Sequence, residues 1–168
     1  MQVEERLKEL GITLGPPPTP GGNYVRYVQV GNLLFLSGTT PRHDGEQLFR
    51  GKVGRELTLE QGYQAARICT LNHLRMLKAA LGDLDRVERI VRVTGYVNCT
   101  PEFTQHPKVI NGASDLLVEV FGERGRHVRT ALGISGLAND APVETEMIVQ
   151  VREAAPAEGK GPDPGIYL

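Results

Sequence analysis

The sequence predicts an α+β fold, a two-layer sandwich in which two long helices pack on one face of a mixed sheet of roughly four to six strands. Its predicted elements follow the order helix, two strands, helix, strand, helix, two strands. The helical segments repeat apolar residues at the helical period, and the strand segments are rich in valine and leucine. Strands such as "LLFLSG" and "MIVQV" are apolar on both sides, so the second sheet face is predicted to be buried against another subunit of a homo-oligomer.

The N-terminal segment is predicted to be an addition to this sandwich. "VEERLKELG" places Val3, Leu7 and Leu10 on one stripe of a short helix, with Gly11 just beyond its end. The stretch that follows, "GPPPTPGGN", holds four prolines and three glycines and therefore predicts an extended linker. The expected organisation is a helix and linker over residues 1–21, a main domain over residues 22–153, and a flexible tail over residues 154–168.

The first two strands and a small hairpin come next along the chain. "YVRYVQVGNLLFLSGTT" predicts two strands joined by a tight turn at Gly31-Asn32. The polar stretch "PRHDGEQLFRGKVGRE" predicts a loop that carries a small hairpin around Asp44-Gly45.

The two long helices and the remaining strands complete the sandwich. The main helix is predicted to begin at Thr58, which forms a capping box with Gln61, and to end at Gly82. After the strand "VERIVRVTGYVNCT", a second helix in "KVINGASDLLVEVFGERG" is closed by Gly122 or Gly125. The last strands, "HVRTALGIS" and "VETEMIVQV", are predicted to form a hairpin.

Composition excludes several classes of partner. The chain has 168 residues, a formal net charge of -1 and a pI near 6.4, so neither nucleic acid nor an anionic membrane is the expected partner. The sequence has no secretory signal and no apolar run long enough to span a membrane. Cys69 and Cys99 form no disulfide framework and are expected to be reduced, packed residues. We therefore expect a soluble, cytoplasmic protein.

Metal and cofactor motifs are not recognisable in the sequence. The four histidines are widely separated, and none pairs with Asp, Glu or Cys at ligand spacing: His43, His73, His106 and His127. His73 is placed on the exposed side of the main helix. Nucleophile-elbow and phosphate-binding glycine motifs do not occur, so no metal and no cofactor is predicted.

Two short stretches near the second helix have competing interpretations. "GERG" is interpreted as a helix end rather than as a clamp for a nucleic-acid backbone. "RGRHVR" is either a phosphate-binding patch or a solvated turn that carries one functional arginine, and the low pI favours the second interpretation.

The segment "RTALGISGLANDAPVETEM" carries the strongest chemical signal. Arg129 shares a strand face with Ala131 and Gly133, whose small side chains would leave room for a carboxylate to bind the guanidinium in bidentate fashion. Glu144 and Glu146 share a face of the return strand, and a carboxylate there could activate a water. The alternative is a cross-strand ion pair between Arg129 and Glu144 without catalytic meaning.

These stretches resemble the signatures of the Rid family of reactive intermediate deaminases, also called the YjgF family. The late signature, an arginine, an apolar run and then Val/Ile-Glu-x-Glu, stands here as "RTALGISGLANDAPVETE". The early signature stands as "YVRYVQVGNLLFLSG" and places Tyr24, Ser37 and Gly38 on the family's pocket positions. Asn111 in "VINGASDLL" matches the asparagine of the second helix, and the resemblance covers residues 22–152.

The resemblance implies a fold, an assembly and an activity. The fold would be chorismate-mutase-like, and the assembly a homotrimer with a central β-barrel and three pockets between subunits. The activity would be the cofactor-free hydrolysis of 2-imino and enamine acids to 2-keto acids and ammonia. Arg129 would bind the substrate carboxylate, backbone groups at Gly38 and Ala131 would lie near the imine nitrogen, Glu144 would activate the water, and Tyr24 of a neighbouring subunit would wall the pocket.

Departures from the family pattern keep other functions open. Ala131 stands where a cysteine is common, Leu137-Ala138 replaces Leu-Pro, and the N-terminal helix and the loop of residues 41–56 indicate a longer, divergent branch. One alternative is a non-catalytic protein that binds or senses a 2-keto acid. Endoribonuclease activity, a label that some family members carry, is disfavoured by the balanced charge.

Overall fold

One mixed sheet and one small hairpin contain all the strands of residues 2–153, which are the residues that the computed structural model describes. Their bounds are β1 (Tyr27–Val30), β2 (Leu33–Thr39), β3 (Arg42–His43), β4 (Glu46–Gln47), β5 (Val87–Asn98), β6 (Val128–Ile134) and β7 (Val143–Val151). The main sheet has the order β1-β2-β7-β5-β6, and β3 pairs only with β4. Within the sheet β5 and β6 are parallel, and the other neighbours are antiparallel. The predicted tail, residues 154–168, lies outside the described residues.

Helices cover one face of this sheet and leave the other uncovered. They are α1 (Gln2–Glu9), α2 (Leu59–Leu81) and α3 (His106–Phe121), with short 3-10 turns at Leu84–Arg86, Gly122–Gly125 and Ala138–Asp140. The capping box of Thr58 and Gln61 is present at the start of α2, and Gly82 ends that helix. Gly122 ends α3 at a φ of 60°, which an L side chain rarely adopts. The predicted α+β sandwich with a mixed sheet is confirmed. No helix among the described residues is both long enough and apolar enough to cross a bilayer.

The core lies between the sheet and the two long helices. From the sheet it receives Ile90, Val93, Met147 and Val149, and from the helices Leu74, Leu77, Leu116 and Leu117, all fully or almost fully buried. The N-terminal helix joins this core through Val3 and Leu7. Its first turn is also held by the carboxylate of Asp85, which accepts hydrogen bonds from the backbone of Gln2 and Val3 at 2.8 and 2.9 Å. The added helix is therefore packed against the main domain.

The predicted hairpin of the last two strands is wrong. β6 and β7 are not neighbours, because β5 lies between them and pairs with both. The connection of residues 135–142 crosses over this central strand. As a result, Arg129 and Glu144 are separated by a strand instead of facing each other across a two-stranded ribbon.

The expectation that His73 lies on the exposed side of α2 is also wrong. Its side chain is fully buried, and Nε2 lies 2.9 Å from the carbonyl oxygen and 3.1 Å from Oγ1 of Thr145. Asn72 and Arg75 beside it are buried as well. The two cysteines behave as predicted, since both are free and buried.

The uncovered sheet face is partly apolar, as the strand sequences predict. Val30, Phe35 and Leu132 point to this side and are 58%, 43% and 45% exposed. They alternate along their strands with residues that face the helices, such as Leu34 and Leu36. This face also carries Glu144 and Glu146 of β7, so apolar surface and carboxylates lie together.

Candidate active site

Arg129 lies on β6, the edge strand, and its side chain reaches back to α3. Its Nη1 donates to Oδ1 of Asn111 at 2.8 Å and to Oγ of Ser114 at 3.1 Å, and its Nη2 donates to the carbonyl oxygen of Pro107 at 3.3 Å. All three acceptors are neutral, and the ion pairs found within residues 2–153 do not include Arg129. Partial burial lowers the pKa of Arg129, an effect that nearby Asp115 opposes, but a guanidinium stays charged at neutral pH. The cation is thus oriented without being neutralised.

The space beside Arg129 is smaller than the sequence predicts. Ala131 lies on the same strand face and is half-buried. At Gly133, however, a Cβ would lie 2.3 Å from Nε2 of His106 and 3.0 Å from Sγ of Cys99. The glycine therefore makes room for the imidazole of His106 rather than for a ligand, and the open space lies toward Ala131 and the sheet edge.

A second group of predicted residues lines one cavity on the other side of the molecule. Tyr24, Ser37, Gly38 and Glu144 all border this cavity, whose volume is about 280 Å³. Pro18 and Thr19 of the linker, Arg26, Arg42 and Asn139 complete much of its wall. We call this space the Glu144 pocket. The size falls at the lower end of small-molecule sites, which measure roughly 300–1,000 Å³.

An irregularity in β2 creates this pocket. The pairing of β2 with β7 shifts between Leu36 and Thr39, so Ser37 and Gly38 leave the regular ladder. The hydroxyl of Ser37 donates to the carbonyl of Val25 at 2.6 Å and ties the preceding segment in place. A Cβ on Gly38 would lie 3.2 Å from the carboxyl carbon of Glu144. The glycine therefore lets the backbone of β2 approach the Glu144 carboxylate closely.

The two glutamates of β7 differ in their surroundings. Burial, and secondarily the charge of Glu146, raise the pKa of Glu144. Glu146 instead accepts a hydrogen bond of 2.7 Å from the hydroxyl of Tyr96, which raises the pKa of that tyrosine. Glu144 borders the pocket, and its raised pKa makes it a stronger base than an ordinary glutamate. This is the arrangement expected of a general base.

Arg129 and Glu144 lie on opposite faces of the sheet. Arg129 pairs with Val93 of β5, whose buried side chain faces the helices. Glu144 pairs with Tyr96 of β5, which points to the face opposite that of Val93 and Val97 because successive strand residues alternate. Glu144 therefore projects from the uncovered face. The suggested ion pair between Arg129 and Glu144 does not form. Within one protomer the structure brings together Tyr24, Ser37, Gly38 and Glu144, and separately Arg129, Asn111 and Ala131. Tyr24 thus borders the Glu144 pocket of its own chain, whereas the family resemblance implied a tyrosine from a neighbouring subunit.

Sequence reasoning missed several neighbours of these groups. Ser114 was detectable, because it follows Asn111 by three positions on a predicted helix and so shares its face. Strand alternation places the side chain of Tyr96 on the uncovered face of β5. Its hydrogen bond to Glu146, however, depends on the pairing register of β5 and β7, which the sequence does not reveal. Asn139 has a left-handed backbone with a φ of 55°, and its carbonyl accepts bonds from Gln47 and Arg50.

Comparison with known proteins identifies similar chains. Residues 4–139 match the family model described as "YjgF/chorismate mutase-like, putative endoribonuclease"; the matched range contains Arg129 and ends before Glu144. The protein TCP17 of Trypanosoma cruzi is 44% identical over 151 residues, which make up 89% of this chain and 94% of the relative.

Two solved structures are similar over most of the chain. One is a protein of unknown function from Agrobacterium tumefaciens, 42% identical, with a TM-score of 0.84 over 90% of this chain and 93% of the other. The second, from Shewanella oneidensis, carries the description "putative endoribonuclease" and is 36% identical, with a TM-score of 0.86 over 89% of this chain and 99% of the other. None of these three names states a deaminase activity.

Proposed function

This chain belongs to the YjgF/chorismate mutase-like family, and from that premise we propose that it hydrolyses 2-imino and enamine acids to 2-keto acids and ammonia. The proposal rests on the surroundings of two charged side chains, Arg129 and Glu144. Arg129 is oriented by neutral acceptors and keeps its charge available for a carboxylate. Glu144 is a pocket carboxylate whose pKa is raised, as a base that acts on water requires.

We place the active site between two copies of the chain in a homotrimer. Because Arg129 and Glu144 lie on opposite faces of one sheet, a single protomer cannot present both to one small substrate. The exposed apolar residues beside Glu144 on the uncovered face provide a surface for association. In the proposed assembly, Arg129, Asn111 and Ala131 of one protomer meet Tyr24, Ser37, Gly38 and Glu144 of its neighbour.

The chemistry follows from these positions. Arg129 holds the substrate carboxylate, and backbone groups at Gly38 and Ala131 hold the imine nitrogen. Glu144 takes a proton from a water as the water oxygen attacks the imine carbon, so that the C=N bond becomes a carbinolamine. That proton passes to nitrogen and completes the carbinolamine. Glu144 then takes the proton of the new hydroxyl group and delivers it to nitrogen as the C–N bond breaks, so that ammonia leaves and the carbon–oxygen double bond of the 2-keto acid forms. One water is consumed, no electrons are transferred, and the scheme calls on neither metal nor cofactor.

The first test is imine hydrolysis by the purified protein. An amino-acid oxidase generates 2-iminobutanoate, and ammonia release is followed with and without the chain. We expect clear acceleration by wild type and a loss of roughly 30- to 1,000-fold in Arg129→Ala, since a charge-assisted bidentate contact is worth about 2–4 kcal/mol. Well-folded wild type that leaves the rate unchanged would reject the proposal.

Mixing two inactive variants tests the shared site. If Arg129 and Glu144 come from different protomers of a trimer, one-to-one co-refolding of Arg129→Ala with Glu144→Gln restores about a quarter of the sites. The matched control is wild type co-refolded with the double variant. It should also show about a quarter of the wild-type activity for a shared site, but about half for a site within one protomer. No recovery in the first mixture would contradict the shared site while leaving the activity itself intact.

A non-catalytic role in binding a 2-keto acid is the second candidate. It is favoured by Ala131, which stands where the family commonly has a cysteine. In that case wild type would bind 2-ketobutyrate without accelerating imine hydrolysis, Arg129→Ala would abolish binding, and Glu144→Gln would bind normally. Endoribonuclease activity is disfavoured by the net charge of -1, and steeply salt-dependent RNA affinity would reverse that judgement.

A further inference from the structure

A second cavity, of about 340 Å³, lies next to the Glu144 pocket and takes no part in the proposed reaction. The prolines and the threonine of residues 16–19 form one wall, and the turn Asp44-Gly45 of the β3–β4 hairpin forms another. Arg42 of β3 and Asn72 and Arg75 of α2 complete it. We call this space the linker cavity. It is bordered by the Pro-rich linker and by the β3–β4 hairpin.

Arg75 is a buried cation without an anionic partner. Its side chain is only 9% exposed, Nη1 donates to Oδ1 of Asn72 at 2.9 Å, and Nη2 donates to Nδ1 of His43 at 3.2 Å. Its Nε is buried and has no hydrogen-bond partner among the described residues. No ion pair within residues 2–153 includes it. Buried guanidinium groups are normally paired with an acid, so Arg75 is an exception that requires an explanation.

Arg42 is a second cation of the same kind. It is half-buried, its Nε is buried without a partner, and its guanidinium makes no hydrogen bond or ion pair within residues 2–153. Its backbone is nevertheless fixed, because Nδ2 of Asn72 donates to its carbonyl oxygen at 2.9 Å. The buried amide of Asn72 therefore positions both arginines, one through its oxygen and one through its nitrogen.

The carboxylate at this cavity, Asp44, does not neutralise the two arginines. Because a guanidinium always donates, Nδ1 of His43 accepts from Arg75 and the ring proton is on Nε2. That nitrogen faces Oδ2 of Asp44 at 3.3 Å, and the Asp44 side chain is 80% exposed. Asp44 is thus engaged at the rim, and the interior has an excess of positive charge.

We propose that the linker cavity binds the oxyanion group, a carboxylate or a phosphate, of a small metabolite, with Arg42 and Arg75 as the donors. The volume exceeds that of a bare ion and matches the lower end of small-molecule sites, roughly 300–1,000 Å³. The buried amide of Asn72 holds the Arg75 guanidinium and the Arg42 backbone, so two guanidinium groups border one cavity and can both donate to one oxyanion. The site does not depend on imine hydrolysis: Asn72 and Arg75 do not border the Glu144 pocket, and Arg42, which borders both spaces, has no role in the proposed reaction.

The linker cavity shares part of its wall with the Glu144 pocket, where the proposed reaction takes place. Pro18, Thr19 and Arg42 border both spaces. A ligand that fills the linker cavity on Arg42 would therefore also lie against linker residues that wall the Glu144 pocket. Binding in the linker cavity would reduce the freedom of that wall without contacting Glu144.

The test uses the full chain with sodium phosphate, succinate and the neutral analogue succinamide, at matched ionic strength. Calorimetric titration and thermal unfolding are recorded for wild type, Arg42→Gln, Arg75→Gln and Arg126→Gln. The last is the matched control, an exposed arginine paired with Glu123 at 2.9 Å and remote from the cavity. We expect at least one of the two anions to bind once per chain and to raise Tm, with succinamide inert. Whichever anion binds identifies the group as phosphate or carboxylate.

The variants separate an anion site from a structural role. Arg42→Gln and Arg75→Gln should weaken anion binding at least about tenfold, and Arg126→Gln should not change it. Because the guanidinium of Arg42 has no hydrogen-bond or ion-pair partner among the described residues, Arg42→Gln should keep the wild-type Tm without anion and lose only the increment that the anion adds. Should Arg75→Gln fail to fold, Arg75→Lys and Arg42→Gln supply the same comparison.

Two results would overturn the proposal. One is that neither phosphate nor succinate binds more tightly than succinamide. The other is anion binding that survives in a folded Arg42→Gln/Arg75→Gln double variant. A lower Tm of Arg42→Gln without anion, together with unchanged anion binding, would equally assign Arg42 a purely structural role.

Discussion

The buried histidine of α2 predicts a specific acid sensitivity of the fold. His73 is enclosed beneath β7, where Nε2 contacts Thr145, the residue between the two glutamates. Its Nδ1 is buried without a partner among the described residues. Burial lowers the pKa of His73 from 6.5 to about 4. Protonation in the folded state would place an unpaired N–H and a charge in the protein interior, so acid is expected to lower the stability of the fold.

The magnitude follows from the difference between the two pKa values. Each pKa unit corresponds to about 1.4 kcal/mol, so a shift from 6.5 to about 4 amounts to roughly 3 kcal/mol. As the pH falls, the unfolded state binds the proton at a higher pH than the folded state does. The contribution of neutral His73 to the free energy of unfolding is therefore fully present above the unfolded pKa. It declines as the pH falls from 6.5 toward about 4, where the loss is complete. At pH 5 the expected loss is about 2 kcal/mol.

Urea unfolding of wild type and His73→Gln at about pH 7.5 and pH 5, at one protein concentration, measures this loss. Glutamine keeps a donor for Thr145 but does not titrate, so its stability should fall by about 2 kcal/mol less than that of wild type. Other groups titrate in both proteins, and the difference isolates His73. His43→Gln is the control substitution, because it makes the same change at a histidine whose side chain is 51% exposed. Equal losses in wild type and His73→Gln would refute the argument.

Two further predictions concern the Glu144 pocket. Gly38→Ala places a Cβ 3.2 Å from the carboxyl carbon of Glu144, so we expect kcat for imine hydrolysis to fall about tenfold or more with the fold retained. Gly136→Ala, where a Cβ meets nothing within 4 Å, is the control, and equal activities would contradict the role of Gly38. Glu146→Gln removes the second cause of the raised pKa of Glu144, so the acid limb of the kcat/KM profile should move to lower pH. A limb that does not move, or moves upward, would show that Glu144 is not the titrating base.

Local features of this fold were predictable from the sequence because they depend on residues close together in the chain. The capping box of Thr58 and Gln61 needs only residues three apart. The turn at Asp44-Gly45 was predictable from the preference of both residues for positive φ, observed at 49° and 82°. The same reasoning identified Arg129 and Glu144 as members of a chemically unusual segment.

Features that depend on distant segments could not be predicted in this way. β5 inserts between β6 and β7 because it pairs in parallel with one and antiparallel with the other, and the sequence between Arg129 and Glu144 contains no sign of it. Likewise, His73 is polar enough for a solvated helix face, yet the sheet covers it and Thr145 satisfies one nitrogen. Helical periodicity identifies one buried stripe but not the second surface that tertiary packing buries.

The uncovered sheet face links assembly to the basicity of the proposed site. Glu144 projects from the same face as Phe35 and Leu132, and its pKa is already raised by partial burial within one protomer. In the proposed trimer, neighbouring chains would cover this face and remove more water from the carboxylate, which favours a higher pKa, whereas the charge of an approaching guanidinium favours a lower one. The same contacts would bring in the guanidinium that one protomer holds on its opposite face. A separated protomer would then have no carboxylate-binding group in the Glu144 pocket. Activity per chain should therefore fall on dilution, and fall together with the loss of the trimer.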